Sequence, residues 1–264
     1  MNLHATYNRI GRGYNDTRSA DPFILDQVLK LLSPVPGKNY LDIGCGTGNY
    51  TIEIHKRQIK LAGMDPSLLM LETAKSKEPN IEWLKASIEN TGLEPNSFDG
   101  AIATLTIHHW KNLDQAFSEV NKILQPEAPF VLFTSSPAQM ESYWLNHYFP
   151  IMMRKSIEQM PGIDEIVNKA VIAGLQLEAT IPYYVKNDLQ DHFLYVGKNN
   201  PHLYLDENIR NGISSFSNLA YKQEVLTGLE ELNKDIESGR IQQIIDAYDQ
   251  ESGDYLFLKF NNKK

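Results

Sequence analysis

The chain has 264 residues and a formal net charge of −8. This length is sufficient for a sizeable hydrophobic core, and the negative charge argues against non-specific binding to nucleic acid or to an anionic membrane surface. Cys45 is the single cysteine, which excludes both an intrachain disulfide and a thiolate metal cluster.

Apolar residues form no run long enough to span a membrane, and the N-terminus lacks the apolar core of a signal peptide. We therefore expect a soluble, cytoplasmic protein without a nucleic-acid or membrane partner. The seven histidines show no metal-ligand spacing, so no bound metal is expected either.

The first predicted helix and strand lead into a glycine-rich turn. Asp21-Pro22 indicates a helix start, and apolar residues recur at helical spacing as far as Leu32. After the proline-rich break at 33–37, Tyr40-Leu41-Asp42-Ile43 predicts a strand that runs into Gly44-Cys45-Gly46-Thr47-Gly48. Glycines at every second residue allow a tight turn and a close approach of the backbone to a ligand.

The glycine spacing discriminates between two kinds of ligand. A dinucleotide-binding turn follows Gly-x-Gly-x-x-Gly, which would place glycine at position 49, where this chain has asparagine. Asp42 adds a carboxylate at the end of the strand, which would repel a pyrophosphate and attract an ammonium group. The turn therefore favours a ligand that carries an ammonium group.

The stretch from Leu41 to Gly48 resembles motif I of the class I S-adenosylmethionine (SAM)-dependent methyltransferases, in particular the small-molecule, methyltransferase type 11-like group. The resemblance covers residues 40–135, with the motifs in order, and extends loosely to residue 264. In the turn, it implies that the cofactor contacts Asp42, Gly44, Cys45, Gly46 and Gly48. Without a ligand, the stretch would be an ordinary glycine-rich turn.

The resemblance also implies that residues 1–20 form a lid over the cofactor. Tyr14 and Arg18 match an aromatic–x₃–Arg pattern of the family. Arg18 would pair with the cofactor's carboxylate, because a guanidinium directs two N–H donors at it. Tyr14 would border the acceptor pocket. The alternative is an exposed arginine on a frayed terminus.

The second predicted strand, 61–65, ends in Asp65. An acid at this distance from the glycine turn is placed to accept hydrogen bonds from a ribose. Helix capping is the alternative role. By resemblance to motif II, Pro66 and Met70 would flank the adenine. Pro66 is expected in the first turn of the next helix.

Strands 3 and 4 are predicted at 81–85 and 100–105. After strand 3, Ser87 stands where family members commonly carry an acid that receives the adenine amino group, and the N–H of Ile88 would donate to the ring. At the end of strand 4, the resemblance places Thr104 and Leu105 on the cofactor.

Three residues after strand 4 are catalytic candidates. His108 and His109 are candidate general bases, and the Thr106 hydroxyl is a candidate for orienting the acceptor. Either histidine could instead simply hold the loop through a backbone hydrogen bond.

Strand 5 is predicted at 130–134. Beyond it, a mostly helical insertion is predicted at 138–250, with strand 6 near 175–185. Its aromatic residues suggest an acceptor pocket with Tyr143, Trp144 and His147, although simple packing is the alternative for each. The core would comprise residues 21–137, completed by a final edge strand at 251–264. The fold class is thus α/β: a Rossmann-like seven-stranded mixed sheet with helices on both faces and a helical lid insertion.

The resemblance implies transfer of a methyl group from SAM to a small-molecule acceptor by in-line displacement, leaving S-adenosylhomocysteine (SAH). The sequence does not identify that acceptor. A SAM-binding regulator without turnover remains an alternative, as does an NAD-dependent oxidoreductase, which the spacing of the turn opposes.

Overall fold

The computed structural model describes residues 18–248 and 253–264. Tyr14 and most of the predicted lid at 1–20 lie outside these residues. The strands are β1 (Asn39–Ile43), β2 (Lys60–Asp65), β3 (Trp83–Lys85), β4 (Ala101–Thr104), β5 (Pro129–Thr134), β6 (Leu175–Tyr183) and β7 (Tyr255–Asn262). Within the described ranges, no helix is both long and apolar enough to cross a membrane.

The helices are numbered in chain order. They are α1 (Pro22–Leu32), α2 (Asn49–Lys56), α3 (Leu68–Lys77), α4 (Leu113–Ile123), α5 (Pro137–Glu141), α6 (Pro150–Glu158), α7 (Ile163–Ile172), α8 (Glu207–Asn211), α9 (Ser214–Asn218), α10 (Lys222–Ser238) and α11 (Ile241–Ala247). Asp21 caps α1, since its carboxylate accepts hydrogen bonds from the N–H groups of Phe23 and Ile24. Ser67 caps α3, so Pro66 precedes that helix rather than lying in its first turn.

All seven strands join in one sheet, in the order β3-β2-β1-β4-β5-β7-β6. The five strands from β3 to β5 are parallel, and β7 runs antiparallel to both β5 and β6. The strand order reverses between β1 and β4. An open sheet of this kind places its ligand crevice at such a point, at the carboxyl ends of the strands.

The final strand was predicted at the edge of the sheet, and this is wrong. Phe257 of β7 lies opposite Phe133 of β5 on one side and Ile181 of β6 on the other. The edge strand on this side of the sheet is β6, where exposed residues alternate along the strand and Pro182 removes one backbone donor. The buried residues of β7 fit an interior position.

Side chains alternate between two hydrophobic cores on the opposite faces of the sheet. Phe130 and Leu132 join a core with α4 and α7, whereas Val131 and Phe133 join the core that contains α1 and the insertion's aromatic residues. This is the period of two expected of a strand buried on both faces. The two cores fix the strand ends, and thereby the crevice.

Candidate active site

The glycine turn lies between β1 and α2 and is tied to β2. The N–H groups of Gly44 and Cys45 both donate to the carbonyl of Met64, at 2.7 and 3.0 Å. The three glycines of the turn adopt left-handed φ angles of +71°, +55° and +78°, at Gly44, Gly46 and Gly48 respectively. Residues with a Cβ rarely adopt such angles, so the turn requires glycine.

The three glycines face different surroundings. A Cβ on Gly44 would lie 2.1 Å from Oγ1 of Thr106, and one on Gly48 would lie 2.5 Å from the ring of Trp83. A Cβ on Gly46 would meet no atom within 4 Å among residues 18–248 and 253–264, its two chain neighbours aside, because this residue borders a cavity. Gly44 and Gly48 are therefore required for packing within the protein, whereas the position of the missing Cβ of Gly46 is open towards the cavity.

The cavity has a volume of about 470 Å³ and lies over the carboxyl ends of the parallel strands. Its lining includes these sequence-predicted residues: Arg18, Gly44, Cys45, Gly46, Asp65, Pro66, Met70, Ser87, Ile88, Thr104, Leu105, Thr106 and His109. The predicted residues Asp42, Gly48 and His108 are not in the lining. The volume lies within the range of small-ligand sites.

Asp65 ends β2 at the cavity and holds the glycine turn. Its Oδ2 accepts the N–H of Gly46 at 3.0 Å, and its Oδ1 accepts the N–H of Ser67 at 2.8 Å. Burial raises the pKa of the Asp65 carboxyl, while these two hydrogen bonds act in the opposite direction. Because each carboxylate oxygen has two acceptor positions, Asp65 retains capacity for a ligand's hydroxyl groups.

Asp42 lies behind the turn rather than in the cavity. The hydroxyl of Thr51 on α2 donates to its Oδ2 at 2.6 Å. Burial raises the pKa of Asp42 to about 7; the Thr51 hydrogen bond opposes this shift, and the charge of Asp65 adds to it. Asp42 does not line the cavity, so the structure does not bring its carboxylate to the predicted ligand contact.

Residues that follow β3 and β4 meet at one end of the cavity. The N–H of Lys111 donates to Oε1 of Glu89 at 2.6 Å, which places Trp110 and Lys111 near Ser87 and Ile88. Glu89, Trp110 and Lys111 were not predicted as site residues. Their position directly after two strand ends was the available signal.

The end of β4 carries a strained residue and a buried hydroxyl. Leu105 has a φ of +52°, and its N–H donates to the carbonyl of Phe133 at 2.9 Å. Strain of this kind is concentrated at functional sites. Oγ1 of Thr104 is buried beside the cavity and has no hydrogen-bond partner among residues 18–248 and 253–264. A ligand atom in the cavity could supply that partner.

Both histidines after β4 are neutral at pH 7. Burial lowers the pKa of His109 to about 4, and it lowers that of His108 well below its usual value, with smaller effects from His109 and Arg18. The two rings lie 3.9 Å apart, but only His109 lines the cavity. A neutral imidazole can accept a proton, but a pKa of about 4 makes it a weak base at neutral pH.

The aromatic residues predicted for an acceptor pocket lie elsewhere. Tyr143 stacks on Tyr195 at 3.8 Å between ring centroids, and Nε1 of Trp144 donates to the carbonyl of Lys198 at 3.2 Å. Both side chains are buried in the core of the insertion, while His147 is exposed on its surface. The structure does not bring any of the three to the cavity.

The insertion instead contributes Asp191 to the cavity wall, where it pairs with Arg18. The guanidinium of Arg18 binds the carboxylate of Asp191, which also accepts the hydroxyl of Tyr50 at 3.2 Å. Asn49 and Tyr50, on the first turn of α2, line the same wall. None of Asn49, Tyr50 and Asp191 was predicted as a site residue.

Comparisons with known proteins agree with this arrangement. Residues 41–132 match a family model described as a methyltransferase domain. The structure resembles that of an Anabaena variabilis protein named "Putative methyltransferase from antibiotic biosynthesis pathway", with a TM-score of 0.83 and 31% identity. That match covers 93% of this chain and 99% of the other.

Two curated relatives match shorter parts of the chain. The Saccharomyces cerevisiae protein named Probable S-adenosylmethionine-dependent methyltransferase CRG1 is 32% identical over 46% of this chain and 43% of its own length. A 2-phytyl-1,4-naphtoquinone methyltransferase from Nostoc sp. is 27% identical over 48% of this chain and 61% of its own. The chain thus spans about half the length of these two relatives. With the full-length structural match, these findings establish that the chain belongs to the class I SAM-dependent methyltransferase family.

Proposed function

We propose that the chain binds SAM in the 470 Å³ cavity and transfers its methyl group to a small-molecule acceptor. The open side of Gly46 is the observation that carries this proposal. The residue is glycine in a left-handed conformation, its missing side chain would enter the cavity, and its N–H is held by the carboxylate of Asp65. The open position at Gly46 lies in the cavity wall, where a ligand can approach the backbone closely.

The lining fits the separate parts of SAM. The Asp65 carboxylate is suited to the ribose hydroxyls, because it can accept from both. Pro66, Met70, Ser87 and Ile88 would hold the base at the β2–β3 end. At the other end, Arg18 carries the positive charge that a carboxylate needs.

Methyl transfer places modest demands on the protein. When bound, SAM supplies a methyl group already activated by its positive sulfonium. The residues of this chain would align the acceptor with that methyl and exclude water. Thr106 and His109 line the cavity and are the candidates for orienting the acceptor. With a pKa of about 4, His109 is better suited to accept a hydrogen bond than to remove a proton.

The class of acceptor is inferred from the cavity and the relatives. A site of this size accommodates small molecules. One relative is named 2-phytyl-1,4-naphtoquinone methyltransferase, and another, from Campylobacter jejuni, is named Ubiquinone/menaquinone biosynthesis C-methyltransferase UbiE. We infer a small organic acceptor; its identity, and the expectation that no metal takes part, remain predictions.

Transfer of a labelled methyl group from SAM to an acceptor, with release of unlabelled SAH, tests the proposal. Purified protein is incubated with methyl-labelled SAM and either a small-molecule library or a cell extract, and the transferred label and the SAH are measured together. Stoichiometric label and SAH support methyl transfer. Tight SAM binding without product in any fraction would instead favour the regulatory alternative, and binding of NAD but not SAM would favour the oxidoreductase.

A further inference from the structure

Asp191 brings a carboxylate from the insertion into the wall of the cofactor cavity. Its side chain is only 2% exposed. Nε of Arg18 donates to its Oδ1, and Nη2 of Arg18 donates to its Oδ2 at 3.2 Å. The Tyr50 hydroxyl donates to the same Oδ2 at 3.2 Å. A buried carboxylate in a ligand cavity is costly unless paired, which makes it a candidate for a functional role.

The ion pair lies at the α2 end of the cavity. The carbonyl of Arg18 accepts a hydrogen bond from Nδ2 of Asn49 at 2.9 Å, and Asn49 is the first residue of α2, directly after the glycine turn. Asp65 instead ends β2 and Ser87 follows β3, towards the other side of the sheet. A nucleoside on Asp65 and Ser87 would therefore direct its 5′ substituent towards Arg18 and Asp191.

We propose that Asp191 binds the α-ammonium group at the amino-acid end of SAM, beside Arg18 on the α-carboxylate. This inference rests on the proposed function of the cavity. The Arg18–Asp191 pair carries no net charge, and neither does the amino-acid end of SAM. Each charge of the one would lie beside an opposite charge of the other, so no net charge is buried. Contacts among the described residues use three of the roughly four acceptor positions of the Asp191 carboxylate, which leaves room for an ammonium donor.

A purely structural role for Asp191 is the competing explanation. The segment that contains Arg18 is joined to the insertion by two further contacts near the ion pair. The hydroxyl of Ser19 donates to the carbonyl of Gln190 at 2.8 Å, and the N–H of Gln190 donates to Oδ2 of Asp21 at 3.0 Å. Ser19 is exposed and does not line the cavity, so Ser19→Ala weakens the junction without changing a cavity charge.

Three ligands separate these roles by calorimetric titration. SAH carries both charges of the amino-acid end, decarboxylated SAH carries the terminal ammonium without the carboxylate, and 5′-methylthioadenosine carries neither; all three are neutral thioethers at sulfur. They are titrated into the wild type, Asp191→Asn and Ser19→Ala. Asp191→Asn should bind SAH and decarboxylated SAH about 10–100-fold more weakly, the cost of one hydrogen bond to a charged group, while methylthioadenosine changes less than about threefold.

Arg18→Gln should change the preference between SAH and decarboxylated SAH. Without the guanidinium, the Asp191 carboxylate favours a cation that lacks a carboxylate, so the affinity for decarboxylated SAH should rise relative to that for SAH. If Asp191→Asn does not fold, Asp191→Glu retains the charge at a displaced position and should weaken SAH binding but not methylthioadenosine binding.

Equal losses for all three ligands in the Asp191 variants, or the same selective loss in Ser19→Ala, would overturn the ammonium assignment and leave SAM binding intact. A wild type that binds none of the three would overturn the proposed function as well.

Discussion

Replacing Gly46 with alanine should separate ligand binding from folding. The change keeps the backbone N–H that Asp65 accepts, and, chain neighbours aside, the new methyl group meets no atom within 4 Å in the part of the chain that the structure describes. The φ of +55° strains any residue with a Cβ by about 1–2 kcal/mol, which corresponds to a fall in Tm of roughly 2–8 °C. If SAM occupies the cavity, the methyl group also crowds it, and overpacking costs about a further 1–3 kcal/mol of binding free energy.

Gly92→Ala is the matched control for this prediction. Gly92 has a φ of +65°, and a Cβ there would likewise meet no atom within 4 Å among the described residues beyond its chain neighbours, yet Gly92 is exposed and does not line the cavity. Both variants should lose similar thermal stability, measured by differential scanning fluorimetry. Only Gly46→Ala should lose SAH affinity, by about 10–100-fold in a calorimetric titration. Equal SAH affinity in the two variants would refute the assignment of Gly46 to the cofactor.

Three further predictions concern titratable groups. Asp65→Asn should weaken SAH binding by about 10–100-fold in calorimetry, and an unchanged affinity in this variant would exclude the ribose contact. Because the pKa of Asp65 is raised, the SAH affinity of the wild type should fall in acid at a higher pH than an ordinary aspartate would give. Burial raises the pKa of Asp42 from 3.8 to about 7, so this group contributes stability below pH 3.8 that is lost as the pH rises to 7. The free energy of unfolding of Asp42→Asn, measured in urea, should therefore rise by on the order of 3 kcal/mol relative to that of the wild type as the pH goes from 4 to 8. A difference between the two proteins that does not change with pH would contradict this. The His109 ring, assigned with His109→Gln, should show no NMR titration between pH 6 and 8 because its pKa is about 4; a midpoint near 6.5 would restore the general-base hypothesis.

The sheet and its crevice were predictable because their signals are local. Strand 2 ends in Asp65, and its last side chain lies in the crevice, as an acid at that position suggested. Asp42 gave a similar signal but lies one residue before the end of β1. Successive side chains of a strand point to opposite faces, and this one points to Thr51 on α2. Whether the acid is the last or the second-last residue of its strand thus decides whether its side chain lines the cavity or forms a buried hydrogen bond.

The insertion was less predictable because its contacts are distant in the sequence. Arg18 and Asp191 are separated by 173 positions, and no local pattern links them. The aromatic residues at 143 and 144 were visible in the sequence, but composition does not distinguish a pocket wall from a core. In the structure, Tyr143 and Trp144 supply the buried surface that holds the short helices of the insertion together.

Titration of SAH into the wild-type protein tests the central claim most directly, with NAD as the competing ligand. The account predicts a single site with a Kd below about 100 µM, competition by SAM, and no competition by millimolar NAD. The absence of SAH binding at millimolar concentration, in protein that remains folded, would contradict the assignment of this cavity to SAM.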